Sequence, residues 1–280
     1  MELRERQLAI VLLDLIGSTA FVQRVGAMKA AKWLQYHDRL TRSLLYKFNG
    51  REIDRSDGFM LSFDRCIDAV NFGLHYQASI PAKTTLQCRI GIHWGKVVEV
   101  KQDELYTMTG AKGVELEGIS KNIAARTMSL CGAGQVLLTK EAMIAVKHRT
   151  NPFTPKNTRY ALAGEYRFKG VAETQIIYTV GQTIESLQPP KGSDKVKRLG
   201  GAKRIKSRLR DKKLTELVTF LITRSGLIAS LYLLSILAPI LVDPRLRLLN
   251  GLDMWFFWID HVVDILSPVI NLIKMIIGES

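Results

Sequence analysis

The sequence predicts an α+β sandwich, helices packed on paired antiparallel strands, followed by a basic linker and a hydrophobic helical tail. Three observations predict it. Residues 7–15, QLAIVLLDL, form a near-continuous apolar run, as expected of a strand buried on both faces. Helical spacing then alternates with pairs of short strands, a pattern that does not suit a doubly wound parallel sheet. Charge and hydropathy change abruptly after residue 181.

Taken in order, residues 20–48 place Phe21, Val25, Met28, Leu34, Leu40, Leu44 and Leu45 at helical intervals. Residues 51–53 and 59–63 read as two short strands around the turn signal Ser56-Asp57-Gly58. Residues 67–80 are helical and end at Pro81. Residues 86–100 alternate apolar and polar around Gly91 and Gly95, which predicts a long strand or a strand pair. A helix over 116–130 stops at Gly132, and strands over 135–138, 160–168 and 175–180 complete the unit. The domain therefore spans 1–181, the linker 182–213 and the hydrophobic region 214–280.

Composition bounds the rest. With 47% hydrophobic and 24% charged residues, the chain is neither disordered nor collagen-like. Three cysteines without paired spacing exclude a disulfide framework and a thiolate zinc site, and fit a reducing compartment. The apolar run 8–13 ends at Asp14 and is too short for a signal-peptide core. The net charge of +14 is concentrated: residues 191–213 hold eleven Lys/Arg and two Asp/Glu, or +9. Residues 225–242 carry no charge over 18 positions, about 27 Å of helix, against a hydrocarbon core of about 30 Å. A second apolar stretch, 252–277, is interrupted by Asp260, His261 and Asp264. One or two transmembrane helices are expected, with the basic linker on anionic lipid and the domain cytoplasmic at a cell inner membrane or plasma membrane. The basic run lacks aromatic platforms or a recognition helix, so no nucleic-acid partner is expected.

Two aspartates carry the candidate chemistry. Asp14 ends the first strand and opens DLIGSTAF, where Gly17, Ser18 and Thr19 lead into a helix, a turn whose backbone N–H groups suit phosphate. Asp57 sits in the hairpin turn of IDRSDGFMLSF, which antiparallel pairing brings beside the end of the first strand. Together they would form a hard-oxygen site for Mg²⁺ or Mn²⁺ on a nucleoside triphosphate. Singly, Asp14 reads as a helix cap and Asp57 as a turn residue.

Five blocks in order change that balance: DLIGSTAF at Asp14, SDGFMLSF at Asp57, RIGIHWGKV at Arg89, GISKNIAARTMSLCGAGQVLLT from Gly118, and YRFKGV at Tyr166. Residues 7–181 resemble the catalytic domain of class III adenylate and guanylate cyclases. The resemblance implies a ferredoxin-like antiparallel sheet with helices packed on it, and a homodimer whose sites are shared between chains. It also implies two Mg²⁺ or Mn²⁺ ions per site. By the same resemblance Asp14 and Asp57 match the metal ligands, Asn122 and Arg126 the ribose and transition-state contacts, and Lys169 a triphosphate contact. Asn122 and Arg126 are four residues apart, so one helix face presents both.

The base-selecting positions depart from that pattern. Purine cyclases usually carry a lysine shortly before the second metal aspartate and an aspartate or threonine seven before the asparagine. Here residues 52–57 read EIDRSD without lysine, and the second position is Glu115. Asp54 or Arg55 with Glu115 offers a different donor–acceptor set. ATP is the default substrate by family frequency, a pyrimidine cyclase acting on CTP or UTP is the alternative, and an inactive cyclase-like nucleotide sensor is the third reading. His93 and Trp94 read as packing residues. GAKGVELEG lacks the ending of a phosphate loop.

Overall fold

The computed structural model describes residues 2–56, 58–80, 86–147, 149, 151–200 and 216. The chain divides into two units, Met1–Leu209 and Arg210–Ser280, and every element described belongs to the first. The strands are β1 (Glu2–Ile16), β2 (Gly50–Arg55), β3 (Gly58–Phe63), β4 (Gln87–Lys101), β5 (Val114–Glu117), β6 (Val136–Thr139), β7 (Arg159–Phe168), β8 (Gln175–Gly181) and β9 (Val196–Gly200). The helices are α1 (Ser18–Val25), α2 (Ala27–Lys47), α3 (Cys66–Ser79), α4 (Glu104–Met108), α5 (Ile119–Leu130) and α6 (Lys140–Val146). All nine strands join one sheet in the order β2-β3-β1-β4-β6-β8-β7-β9, with β5 added to β4. Among the described strands only the β4–β6 pair is parallel. This is a mixed α+β architecture with a large sheet, as the spacing predicts.

β1 organises the layers because its two sides feed two cores. Leu8, Ala9, Ile10 and Val11 expose none of their surface. Ala9, Val11 and Leu13 pack with Phe59, Leu61 and Phe63 beneath α2, α3 and α6. Leu8 and Ile10 face the opposite side, with Ile53, Val97, Leu116 and Ala124 of α5. A third cluster joins Ile123 of α5 to Tyr166 and Phe168 of β7 and Val196 of β9. On the α5 side the helix lies directly on β4: a Cβ at Gly91 would meet the backbone of Met128. β5 folds back over the same side, where Leu116 meets Ile53. Lys112–Asp54, at 2.6 Å, ties the loop entering β5 to β2, and Arg51–Glu99, at 3.0 Å, ties β2 to β4. Burial alone would raise the Glu99 carboxyl, but Arg51 and Arg6 outweigh burial and hold it below the usual range.

Several sequence expectations are corrected. The single helix over 20–48 is two, because Gly26 takes φ 82° and breaks the ladder. The helix expected from 116 begins at Ile119, since residues 114–117 pair with β4 instead. Residues 182–200, expected as flexible linker, are built into the domain. The Tyr166 hydroxyl donates to the Pro190 carbonyl at 2.8 Å, Gln135 Nε2 donates to the Gln188 carbonyl at 2.8 Å, and β9 pairs with β7. Val196, 1% exposed, supplies the burial that a purely basic linker would lack. Lys197 and Arg198 are thereby residues of an edge strand, a common use of charge at sheet edges, and do not support the expected lipid contact. Among the described residues no helix is long and apolar enough to cross a membrane. That finding overturns the expected placement at a cell inner membrane or plasma membrane. The stretches 225–242 and 252–277 that prompted it lie outside the described residues.

Two outcomes follow from the packing. Gly91→Ala should destabilise the domain by about 1–3 kcal/mol in urea unfolding, because α5 must lift from β4. The second concerns His93, which is buried and bonded through Nδ1 to Thr139 Oγ1 at 2.9 Å. Burial lowers its pKa from 6.5 to about 4. Burial also lowers His37. Between those two values the unfolded chain binds a proton that the folded ring refuses. Stability from this group is complete above about pH 6.5 and falls by about 3 kcal/mol as pH drops to about 4. His93→Gln should flatten the slope of unfolding free energy against pH in that window.

Candidate functional site

The site is assembled at one end of β1. Register sets Asp14 opposite Gly58 on β3 and opposite Arg89 on β4. Arg89 Nε donates to Asp14 Oδ2 at 2.9 Å, and Arg89 Nη2 donates to the same oxygen. Among the described residues Oδ1 of Asp14 accepts no hydrogen bond. The carboxylate is 20% exposed and the guanidinium 30%, so the pair stands at the surface end of a buried strand.

Beyond β1 the chain turns through Gly17, whose φ of 76° and ψ of 20° lie in the left-handed region. Phe21 N–H donates to the Gly17 carbonyl at 2.9 Å, the first bond of α1. The N–H groups of Ser18 and Thr19 are thus left without helical acceptors, and no side chain caps the helix. Helix start and carboxylate are separated only by Leu15, Ile16 and Gly17.

Asp57 lies outside the described residues. Its neighbours bracket the same place: Gly58 pairs with Asp14, and Ser56 N–H donates to the Gly58 carbonyl at 3.2 Å. No group of three or more His, Cys, Asp or Glu gathers as a metal site among the described residues. Asp14 alone nonetheless fits a hard cation. It offers an ionisable oxygen that Arg89 does not use, at a half-exposed strand end.

The other expected residues fall into two groups. Asp54, half-buried on β2, is paired with Lys112, and Glu115 on β5 accepts from Gln102 Nε2 at 3.4 Å. Asn122 is exposed on α5, and Arg126 lies one turn on, its Nε donating to the Lys169 carbonyl at 3.4 Å. Lys169 itself is exposed, and its N–H donates to the Lys195 carbonyl of the segment entering β9 at 3.0 Å. Within one chain, then, Asp14 is brought to Arg89 and Arg126 to Lys169. No hydrogen bond or ion pair joins these two groups among the described residues.

Sequence reasoning quoted Arg89 and Lys112 inside motifs without assigning either. Arg89 had a signal: a lone charge in the otherwise apolar strand C-R-I-G-I, at the position that antiparallel pairing sets against Asp14. Lys112 had none, because its partner is 58 residues away in sequence. His93 and Trp94 are packing residues, as read: His93 is buried and Trp94 packs against the helix-side core. The cysteines supply no nucleophile. Burial pushes the Cys66 and Cys131 thiols up to about 12 and Cys88 well above its usual value.

No protein-family model matches the chain, and no curated protein does. Solved structures do match. The adenylyl cyclase CyaB of P. aeruginosa is 18% identical, with a TM-score of 0.55 over 67% of this chain and 100% of that one. An adenylate cyclase of Trypanosoma brucei, solved in its monomeric state, is 19% identical, with a TM-score of 0.53 over 69% and 94%. The guanylate cyclase domain of RhGC from Catenaria anguillulae, solved with GTP, is 16% identical, with a TM-score of 0.52 over 63% and 97%. The fold of the chain is that of the class III adenylyl and guanylyl cyclase catalytic domains.

Proposed function

We propose that the protein is a nucleotidyl cyclase, converting a nucleoside triphosphate to a 3′,5′-cyclic nucleotide and pyrophosphate. One observation carries this reading. On a fold shared with adenylyl and guanylyl cyclases, Asp14 stands near the end of β1 with one oxygen that accepts no hydrogen bond among the described residues, beside the uncapped start of α1 and across from Gly58. Asp14 and Asp57 would hold Mg²⁺ or Mn²⁺, two ions per site. Such an ion supplies Lewis-acid help in ionising the ribose 3′-hydroxyl and in ordering the triphosphate. The N–H groups of Gly17, Ser18 and Thr19 face the phosphates with the helix dipole behind them. Arg126 stabilises the charge that grows on the α-phosphoryl group as the 3′-oxygen bonds to phosphorus and the bond to pyrophosphate breaks. Asn122, one helical turn away, orients the ribose, and Lys169 binds the leaving phosphates.

The two-group arrangement favours a homodimer. Asp14 and Arg126 have separate partners within one chain, so a site that uses both is completed by a second copy. ATP is the default substrate. The carboxylates of Asp54 and Glu115 replace a lysine–aspartate pair suited to adenine, and this favours testing CTP and UTP as the alternative. The same departure sustains a reading as an inactive nucleotide sensor.

The deciding experiment incubates the protein with Mn²⁺ and each of ATP, GTP, CTP and UTP, and separates the products. A cyclic product from at least one is expected, and none from any of the four would defeat the reading. Arg126→Ala should lower kcat by roughly 10²–10³, the scale of losing one preorganised donor to a developing oxyanion. Asp14→Ala should lower turnover at least as far while the chain still folds, its unfolding midpoint only modestly lowered by the loss of Arg89's partner. Mixing Asp14→Ala with Arg126→Ala chains should restore part of the activity. Heterodimers that remain inactive would rule out shared sites.

A further inference from the structure

Arg126 is half-buried on α5, and its Nε donates to the Lys169 carbonyl at 3.4 Å. Among the described residues its Nη1 and Nη2 make no hydrogen bond. The direction of that carbonyl is set by the backbone. Val171 N–H donates to the Phe168 carbonyl at 3.2 Å, closing a turn over 168–171 between β7 and β8. Gly170, third in the turn, takes φ 84°, the left-handed value that a type II turn needs there. A type I turn would carry the chain around with the Lys169–Gly170 peptide turned over, so the sign of φ at Gly170 decides which way the Lys169 carbonyl points. Gly170 is exposed, and a Cβ there would meet nothing within 4 Å. Conformation, not crowding, is what calls for glycine.

β9 fixes the other side of the same residue. Phe168 is the cross-strand partner of Val196, and one step on the Lys169 N–H donates to the Lys195 carbonyl at 3.0 Å. Ile123, one turn before Arg126, shares an apolar cluster with Phe168 and Val196, and Val171 packs against it. Helix, turn and added strand thus carry the guanidinium and its acceptor on one packed base. An arginine ordered only at the moment of use must give up its rotamer freedom then, whereas a donor held beforehand needs no reorganisation. Nε is the atom by which the fork can be held while both Nη groups remain for phosphoryl oxygens. We propose that the Lys169 carbonyl, aimed by the Gly170 turn and backed by β9, is the positioning group of Arg126 and orients its Nη groups toward the reacting phosphoryl. The inference rests on the cyclase reading and gives the backbone of Lys169 a role separate from that of its ammonium.

The test uses the full chain and compares wild type with Gly170→Val, whose β-branched side chain opposes positive φ, and Gly170→Asn, which tolerates it. Arg126→Ala and the double variant Gly170→Val with Arg126→Ala complete a cycle. The readouts are kcat and KM with Mn²⁺ and the triphosphate that wild type turns over best, and ¹⁵N relaxation of the arginine Nε–H resonance that Arg126→Lys removes. Gly170→Val should lower kcat by roughly tenfold to a hundredfold, the scale of a small misplacement of a catalytic group, with KM within about threefold. Gly170→Asn should stay within about threefold of wild type. Once Arg126 is alanine, Gly170→Val should cost little more, because groups that act as a unit are not additive. The Nε–H should be ordered in wild type and Gly170→Asn and mobile in Gly170→Val. Wild-type kcat in Gly170→Val, a loss that Gly170→Asn shares or that persists undiminished without Arg126, or an Nε–H as mobile in wild type as in Gly170→Val would each overturn the proposal. Should Gly170→Val fail to fold, Gly170→Ala takes its place under the same criteria. Cyclic product with a mobile wild-type Nε–H overturns this inference alone. No product from any of the four triphosphates overturns the cyclase reading and the catalytic use of the turn with it, and the relaxation then still reports whether the turn holds Arg126.

Discussion

The register of β1 between β3 and β4 is the constraint on which the site depends. Side chains of a strand alternate between faces, so a slip of one residue would exchange the contents of both cores. Leu8 through Val11 are fully buried, two on each face, and such a slip would drive Leu13 toward the site face and Asp14 into the packing under α2 and α3. Burial on both faces therefore specifies the position of a polar residue that contributes nothing to either core. Gly58 and Arg89 reach Asp14 by the same means, each as the cross-strand partner that register leaves no freedom to change.

The Asp14–Arg89 pair then explains how such a carboxylate is kept ready. A charge at the end of a buried strand is costly if unpaired, and Arg89 offsets that cost while occupying a single oxygen. Among the described residues the second oxygen accepts no hydrogen bond. A carboxylate bound symmetrically by the guanidinium fork would be more strongly paired and less able to serve a cation. Structure and proposed chemistry thus make compatible demands on one residue.

What was legible in the sequence follows the same logic. The apolar run 7–15, the turn at 56–58 and the helix carrying Asn122 and Arg126 were readable because each depends on local periodicity and turn residues. The break at Gly26 was missed because the apolar spacing continues across it, and only the positive φ ends the helix. β5 was absorbed into the helix that follows, since four residues carry too little pattern to resist a longer neighbour. The Asp14–Arg89 and Asp54–Lys112 pairs were beyond such reading. Each joins residues separated by more than fifty positions, and only the coiling of the arm and the strand register bring them together. The roles attached to the site residues came from the resemblance, since spacing alone leaves Asp14 a helix cap.

The basic segment after residue 181 shows why composition misled. Its Pro-Pro, glycines and lysines all signal linker, yet over 182–200 the β7–β9 ladder, the bonds to Pro190 and Gln188, and Val196 packed with Phe168 and Tyr166 seat it in the domain. Seating has a consequence for the candidate site, because the Lys195 carbonyl receives the Lys169 N–H while the Lys169 carbonyl receives Arg126 Nε. A single peptide stretch at Lys169 thus ties the added strand to the helix that bears the proposed transition-state arginine. Positive charge that looks like an interaction tail in composition is, over 195–198, part of the frame around that arginine.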